Sequence, residues 1–520
     1  MNRPISAAGR GLVCSVDERA SRAGVDVLQS GGSAADAAIA TSAVLSVTTQ
    51  HMCGLGGDLF ALVHHGDAVP DCLNASGRAG SGADAAELRA EGFDAMPFRN
   101  DIRSVTVPGC VDGWLALHER HGRLPLKEVL AQASDYAVDG FVVPAHLVEA
   151  SVRVSGIPGA ENYQGLEAGS MLRRNSVGEL LGEIATGGRD AWYGGEFGQA
   201  LLDVGDGLFN GSDLATSQAD WVEPISQEAW GHVLWTIPPN SQGYLSLAAA
   251  GVLQGLELGR LETAQWAHMH IEASRLAAYD RVEVLHEHAD GQALLAPARL
   301  AERRARLNPT QTSALPTPAS PGGTIYLCAT DEQGMGVSLI QSNASGFGAH
   351  IVAPGTGVFL HNRGIGFSLE PGHPAELGPG RRPPHTLSPA IVTRHDGSLR
   401  ATVGTMGGDA QPQIMLQLFS RLLVSGLEPA QVLARPRWAI EALESDGFNT
   451  WQNPNQTAVH VEPEASGWVD ELVELGHIAT AKRVGVGHAH IIDIDPSGNQ
   501  RGGSEPRINT SAAIAASTNP

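Results

Sequence analysis

The sequence predicts an α+β chain. Capped, Ala-rich helices dominate its first half, and alternating segments joined by tight turns, the pattern of antiparallel hairpins, follow in its last third. The glycine cluster Gly54-Leu55-Gly56-Gly57-Asp58 precedes a strand, Leu59 to His64. A dinucleotide fingerprint needs strand, glycines and then helix, so a Rossmann reading is excluded.

The helices are legible from their caps. Gly11 to Val16 reads as a short strand, and Asp17 caps a helix running to Ser30. Gly31-Gly32 breaks that helix, and Ser33 caps an Ala-rich second one to about Val47, which its small side chains fit for close packing. Leu73 to Arg78 reads as a strand ending in an exposed arginine. Helices are expected from Val107-Pro108-Gly109 to His121 and over Leu126 to Val138. Arg173 to Gln218 reads as helical with Gly-rich turns. A strand over Val233 to Ile237 leads through Pro238 to Gly243 into a helix from Tyr244 to about Leu258, and a long helix spans Gln265 to Val284. His268 and His270 on it are two apart and point to different faces, so they read as packing or surface residues and no metal site is expected.

Ala301 to Gly323 carries four prolines among Ser, Thr and Ala and is expected to be disordered. A hairpin follows: Thr324 to Thr330, a turn at Asp331 to Gly334, and Met335 to Ser342. A register pairing Thr330 with Met335 puts Thr324 opposite Gln341, with Ser342 alongside. Further on, Arg381 to Pro389 is a stiff loop, Ala390 to Val403 another hairpin, and Gly404 to Asp409 opens a helix with Ile414, Met415 and Leu418 on one face.

Composition bounds the partners. With 34 basic and 56 acidic residues the net charge is -22, so binding to nucleic acid or an anionic membrane through bulk charge is not expected. Met1 to Gly11 lacks the apolar core of a secretory leader, and no stretch reaches transmembrane length, so the expected compartment is cytoplasmic. Five scattered cysteines without C-x-x-C spacing indicate neither a disulfide framework nor a zinc site. No cofactor is expected.

Two features carry chemistry. Thr324 begins a strand straight after Pro321-Gly322-Gly323. Internally it is an ordinary strand threonine. Cut at Gly323–Thr324, it becomes a nucleophile whose own α-amine, titrating at about 7.7–8.0, is its base. Gly407-Gly408 before a helix can aim backbone N–H groups at one point, as an oxyanion hole does, or simply turn the chain. Arg78, Arg363, Arg381 and Arg382 are candidate substrate cations. No G-x-S-x-G elbow is present.

These residues are joined by others in a recognisable order. Ser33-Ala34-Ala35-Asp36, Gly54 to Gly57, Val107-Pro108-Gly109, Pro238 to Gly243, Thr324-Ile325-Tyr326, Gly346-Phe347-Gly348, Gly407-Gly408 and Ser504-Glu505-Pro506-Arg507 together resemble the gamma-glutamyltransferase family. The resemblance covers nearly the whole chain. It implies a four-layer αββα sandwich of the N-terminal nucleophile hydrolase type. It also implies autocleavage into a large subunit, 1–323, and a small one, 324–520, that stay together, leaving open a dimer of these processed heterodimers. It implies catalytic roles for Thr324, Ser342, Gly407 and Gly408, and transfer of a gamma-glutamyl group from a small amide such as glutathione to water or an amine.

The departures point elsewhere within the family. Where relatives hold the glutamyl amino group with Asn, Gln and Asp, this chain has Ala344 (with Asn343 adjacent), Arg363 and Gly366. Where a Ser-Ser pair holds the carboxylate it has His385-Thr386, and Arg78 stands shifted from the family arginine. The loop Pro371 to Arg382 is too short for the usual lid. An Arg- and His-rich pocket suits a carboxylate-bearing amide without an adjacent ammonium, as in the oxamate amidohydrolase and acylase branch. An inactive scaffold is the remaining alternative.

Overall fold

The computed structural model describes residues 5–9, 11–66, 69–259, 262–313, 315, 325–443, 449–451, 455–482 and 487–516. Gly323 and Thr324 lie outside the described residues.

Two large antiparallel sheets form the centre. One orders its seven strands as Ile5–Gly9, Gln500–Ser504, Ala489–Ile494, Leu399–Thr405, Ala390–Thr393, His232–Thr236 and Ile225–Ala229. The other runs Ala512–Ala515, Leu12–Ser15, Ile325–Thr330, Gly336–Ser342, Asp58–His64, Asp71–Ala75 and Asp220–Val222. Side-chain alternation shows how they stack. Tyr326, Cys328, Ile340, Phe60 and Leu62 meet Ile391, Leu399 and Ile492 of the opposite sheet in one buried cluster. Their neighbours Leu327, Leu339, Leu59 and Ala61 point the other way, into a second cluster with the helices Glu18–Gln29, Ala34–Thr48 and Cys110–His121. The outer face of the first sheet, including Val392, Val403 and Ile491, packs on Tyr244–Leu253, Ala264–Ala278 and Gln411–Phe419. Strands buried on both faces need apolar residues at every position, and each buried Leu or Ile contributes about 1.5–3 kcal/mol. The result is the four-layer αββα sandwich of an α+β fold.

The caps behave as their chemistry dictates. The Asp17 side chain accepts from the Arg19 N–H. Ser33 and Asp36 form a reciprocal capping box, and every residue of the Ala34–Thr48 helix is buried.

Several elements differ from expectation. The strand expected over Leu73 to Arg78 is Asp71–Ala75. The helix from Tyr244 ends at Leu253. The long helix stops at Ala278 and resumes as Arg281–Val284; the chain turns at Asp280, whose carboxylate receives Arg299 and Arg303, each at 2.7 Å. The segment expected to be disordered from Ala301 begins instead as the end of the helix Pro297–Arg306, with Leu300 and Arg303 buried. Past it, the Thr312 N–H bonds the Leu475 carbonyl and the Ser313 N–H bonds Glu272. The hairpin register is offset by one residue: Thr330 pairs with Gly336 and Ile325 with Gln341.

All five cysteines are free and buried. Among the described residues no group of three or more His, Cys, Asp or Glu side chains could hold a metal ion, and no helix is long and apolar enough to cross a membrane.

Candidate active site

The site is built at the ends of the two central strands Gly336–Ser342 and Asp58–His64. Their register sets Ser342 directly opposite Asp58. The preceding glycines allow this: a Cβ on Gly57 would run into the Ser342 carbonyl. The Gly57 carbonyl accepts from the Gly109 and Cys110 N–H groups, at 3.0 Å each, which seats the start of the Cys110–His121 helix.

Asp58 is the hub. One of its oxygens, Oδ2, accepts from Arg363 Nε at 2.7 Å and His385 Nε2 at 2.7 Å, and His361 Nδ1 stands 3.4 Å away. All four side chains are buried. Arg363 also reaches Thr386 Oγ1 at 3.3 Å. Burial alone would raise the Asp58 pKa, but Arg363 and His385 hold it well below the usual carboxylate range. Burial, then Arg363, pushes His385 down to about 4, so its ring is neutral at pH 7. Its Nδ1 accepts from the Leu387 N–H at 3.1 Å, which leaves Nε2–H to donate to Asp58.

This burial makes the fold acid-labile. An unfolded histidine binds its proton below pH 6.5, whereas folded His385 stays neutral until about 4. The unfolded state therefore binds more protons in that window, and stability falls as pH drops through it. His270 and His490, pushed down to about 3 by burial, act with the same sign. Thermal melts are expected to lose stability steadily from pH 6.5 to 4, with His385 alone accounting for about 2 kcal/mol at pH 5. Melting temperatures that stay level from pH 7 to 4.5 would contradict this account.

Around Ser342 the backbone is strained. The Ser342 hydroxyl accepts from the Ala344 N–H at 2.8 Å. Ala344, Phe347 and His350 have φ of 68°, 58° and 58°. Such values cost side chains about 1–3 kcal/mol each and concentrate at functional sites. Asn343 is fully buried, its amide donating to the Gln50 carbonyl at 3.0 Å while its Oδ1 has no hydrogen-bond partner.

Gly407 and Gly408 follow the Leu399–Thr405 strand with φ of 145° and 57°. These are conformations that favour glycine, and they lead through the turn Gly408–Ala410 into the helix Gln411–Phe419. Gln242 ties this turn to the opposite wall. Its Nε2 donates to the Gly408 carbonyl at 3.0 Å, its N–H to the His385 carbonyl at 2.8 Å, and its Oε1 accepts from Arg281 Nε at 2.9 Å. A cleft of about 330 Å³ adjoins, lined by Arg281, Gly366, Phe367 and Pro384 among others.

The structure thus brings Ser342, Asn343, Arg363, His385 and Thr386 into one neighbourhood, with Gln242 linking it to Gly408. Arg78 is not part of the Asp58 cluster. It pairs with Asp220 at 2.6 Å, the same carboxylate that receives Arg382 at 2.8 Å. Arg381 pairs with Glu287 at 3.1 Å. Each of the four candidate cations therefore has an internal carboxylate, and the Arg- and His-rich pocket contains its own acid. Asp58, His361 and Gln242 were not singled out from sequence. The signals were present in the Asp that ends the glycine cluster and the Gln in the Pro238 to Gly243 run.

Comparison with known proteins identifies the family and the fold. The family model for gamma-glutamyltranspeptidase matches residues 20–515. The chain is 32% identical to the glutathione hydrolase-like YwrD proenzyme of Bacillus subtilis, over 95% of this chain and 97% of that protein. It is also 32% identical to the oxamate amidohydrolase proenzyme of Klebsiella pneumoniae, over 97% and 98%. Its fold superposes on the crystal structure of cephalosporin acylase from Bacillus halodurans with a TM-score of 0.89 and 32% identity, covering 99% of this chain and 97% of the other. The chain therefore belongs to the gamma-glutamyltranspeptidase family and is an autoprocessed N-terminal nucleophile hydrolase.

Proposed function

We propose that the precursor cuts itself at Gly323–Thr324 into subunits 1–323 and 324–520, and that Thr324 then hydrolyses a small carboxylate-bearing amide lacking an adjacent ammonium. The Thr324 hydroxyl attacks the amide carbonyl while its freed α-amine takes the hydroxyl proton. Gly407 and Gly408 stabilise the oxyanion, and Ser342 supports the nucleophile. Collapse breaks the C–N bond, the amine leaves with that proton, and water hydrolyses the acyl-threonine to release the acid.

One observation supports the choice of substrate class above the others. The amino-group positions offer an ammonium no free acid. Ala344 offers no polar side chain. A Cβ on Gly366 would run into the Pro384 carbonyl, so an acid cannot stand there unless the His385 loop moves. Arg363 is held on Asp58, which neutralises the acid opposite Ser342. An ammonium would enter with no counter-charge, a cost of several kcal/mol in a buried site.

The test is a substrate panel with purified, processed enzyme. We expect kcat/KM for oxamate or a carboxylate-bearing acyl amide to exceed that for gamma-glutamyl anilide by at least tenfold. If gamma-glutamyl anilide is turned over best, this assignment of substrate class fails.

A further inference from the structure

Gly407 and Gly408 reach their φ values because they lack a Cβ, and the same freedom lets the peptide between them rotate. For their N–H groups to point one way, the turn must be held from outside. The backbone supplies part of the hold. The Gly407 carbonyl accepts from the Ala410 N–H at 3.0 Å. In a planar trans peptide the N–H points opposite to the carbonyl, so the Gly408 N–H is directed away from Ala410. The Gly408 carbonyl accepts from the Gln411 N–H. Just upstream, a Cβ on Gly404 would run into the Tyr326 ring. This chain therefore packs closely on the strand Ile325–Thr330, whose first residue follows Thr324.

Gln242 supplies the rest. Its Nε2 donates to the Gly408 carbonyl at 3.0 Å and, at 3.4 Å, to the Thr386 carbonyl, while its Oε1 accepts from Arg281 Nε at 2.9 Å. These partners fix the orientation of the amide, since a carbonyl only accepts and a guanidinium only donates. The Gln242 N–H donates to the His385 carbonyl at 2.8 Å. Arg281 is steadied in turn by Asp409, the residue after Gly408, at 3.7 Å. Gln242, Arg281, His385, Thr386 and Asp409 are all buried. Arg281 lines the cleft of about 330 Å³, and Gln242 lies behind it.

We infer that Gln242 is the positioning residue of the oxyanion turn. Its amide clamps the Gly408 carbonyl to the His385-Thr386 segment, and so fixes the direction in which the Gly407 and Gly408 N–H groups meet a developing oxyanion. It acts through Gly408 and touches no substrate. The inference rests on the roles proposed above for Thr324, Gly407 and Gly408. One substitution isolates it. Gln242→Glu keeps the size of the side chain and its acceptor for Arg281, but sets a carboxylate oxygen against two carbonyls, which repel it. The Gly408 peptide is then expected to swing away while the surrounding pocket keeps its shape.

The experiment uses the processed enzyme with carboxypropylboronic acid and butyrate as probes. On the boronate, the threonine oxygen adds to boron, its proton passes to the α-amine, and a boron-bound hydroxyl takes the oxyanion position, so the adduct resembles the transition state. Butyrate has the same carboxypropyl chain and no centre to enter that position. Gln242→Glu is expected to weaken the boronate about 10- to 100-fold, less than the ~10²–10³ that outright loss of one oxyanion donor costs. Butyrate should bind nearly as to wild type. Turnover of glutaryl anilide should fall by the same factor in kcat, with KM little changed. A variant that weakens both probes equally, or neither, would overturn the positioning role and leave the proposed reaction standing. A wild-type enzyme that binds no boronate would sink the proposed reaction, and this role with it. A circular-dichroism melt identifies a Gln242→Glu protein that fails to fold. In that case Gln242→Met, which removes the amide without adding a charge, decides by the same two affinities.

Discussion

Replacing Thr324 with Ala is expected to leave the chain as a single full-length band on a denaturing gel and to lower turnover by about 10³-fold or more. The two effects share one cause. In the proposed mechanism the hydroxyl attacks the preceding carbonyl in the precursor, and in the mature enzyme it attacks the substrate, with the α-amine created by the first reaction as its base. Removing the hydroxyl therefore removes both steps. The wild-type protein should give two bands, and N-terminal sequencing of the smaller should read Thr-Ile-Tyr-Leu-Cys. Two bands from Thr324→Ala, or an active wild-type enzyme that remains one chain, would end the proposal.

Asp58→Ala is expected to be the most damaging substitution to stability, at about 3–5 kcal/mol. The reason is the partner left behind. Arg363 is 1% exposed and its Nε donates to Asp58 at 2.7 Å. Truncating the acid leaves a buried guanidinium without its counter-charge and takes the acceptor from His385. The double variant Asp58→Asn/Arg363→Met, which removes both charges and keeps much of the volume, should recover part of the loss. Denaturant unfolding checks both. An Asp58→Ala protein as stable as wild type, or a double variant worse than the sum of its parts, would show that the pair is not the electrostatic hub described here.

The misreadings of the chain have physical causes. Composition made 301–323 look uniform because Pro, Ser and Thr outnumber large apolar residues there. Its first six residues are nonetheless helical, because Pro297 suits the first turn and Arg303 finds Asp280, 23 residues away. The hairpin register was legible only to within one residue, since Met335 and Gly336 both fit the turn. Pairing with Asp58–His64 on the far side selects Gly336 and so places Ser342 opposite Asp58. Arg78 looked like an exposed cation because its acid, Asp220, is 142 residues distant.

By itself the sequence determined the elements and most of the chemistry on offer. Caps, glycine punctuation and alternation are local, so Ser33, the Gly407-Gly408 pair and the strand after Thr324 could be read from neighbours alone. Tertiary structure decided which charges are available. Asp58 and Arg363 are 305 residues apart, and only the stacking of two sheets sets them in contact. That contact neutralises the pocket that looked cationic. Ion pairing depends on distance in space, and a linear chain carries no direct record of it.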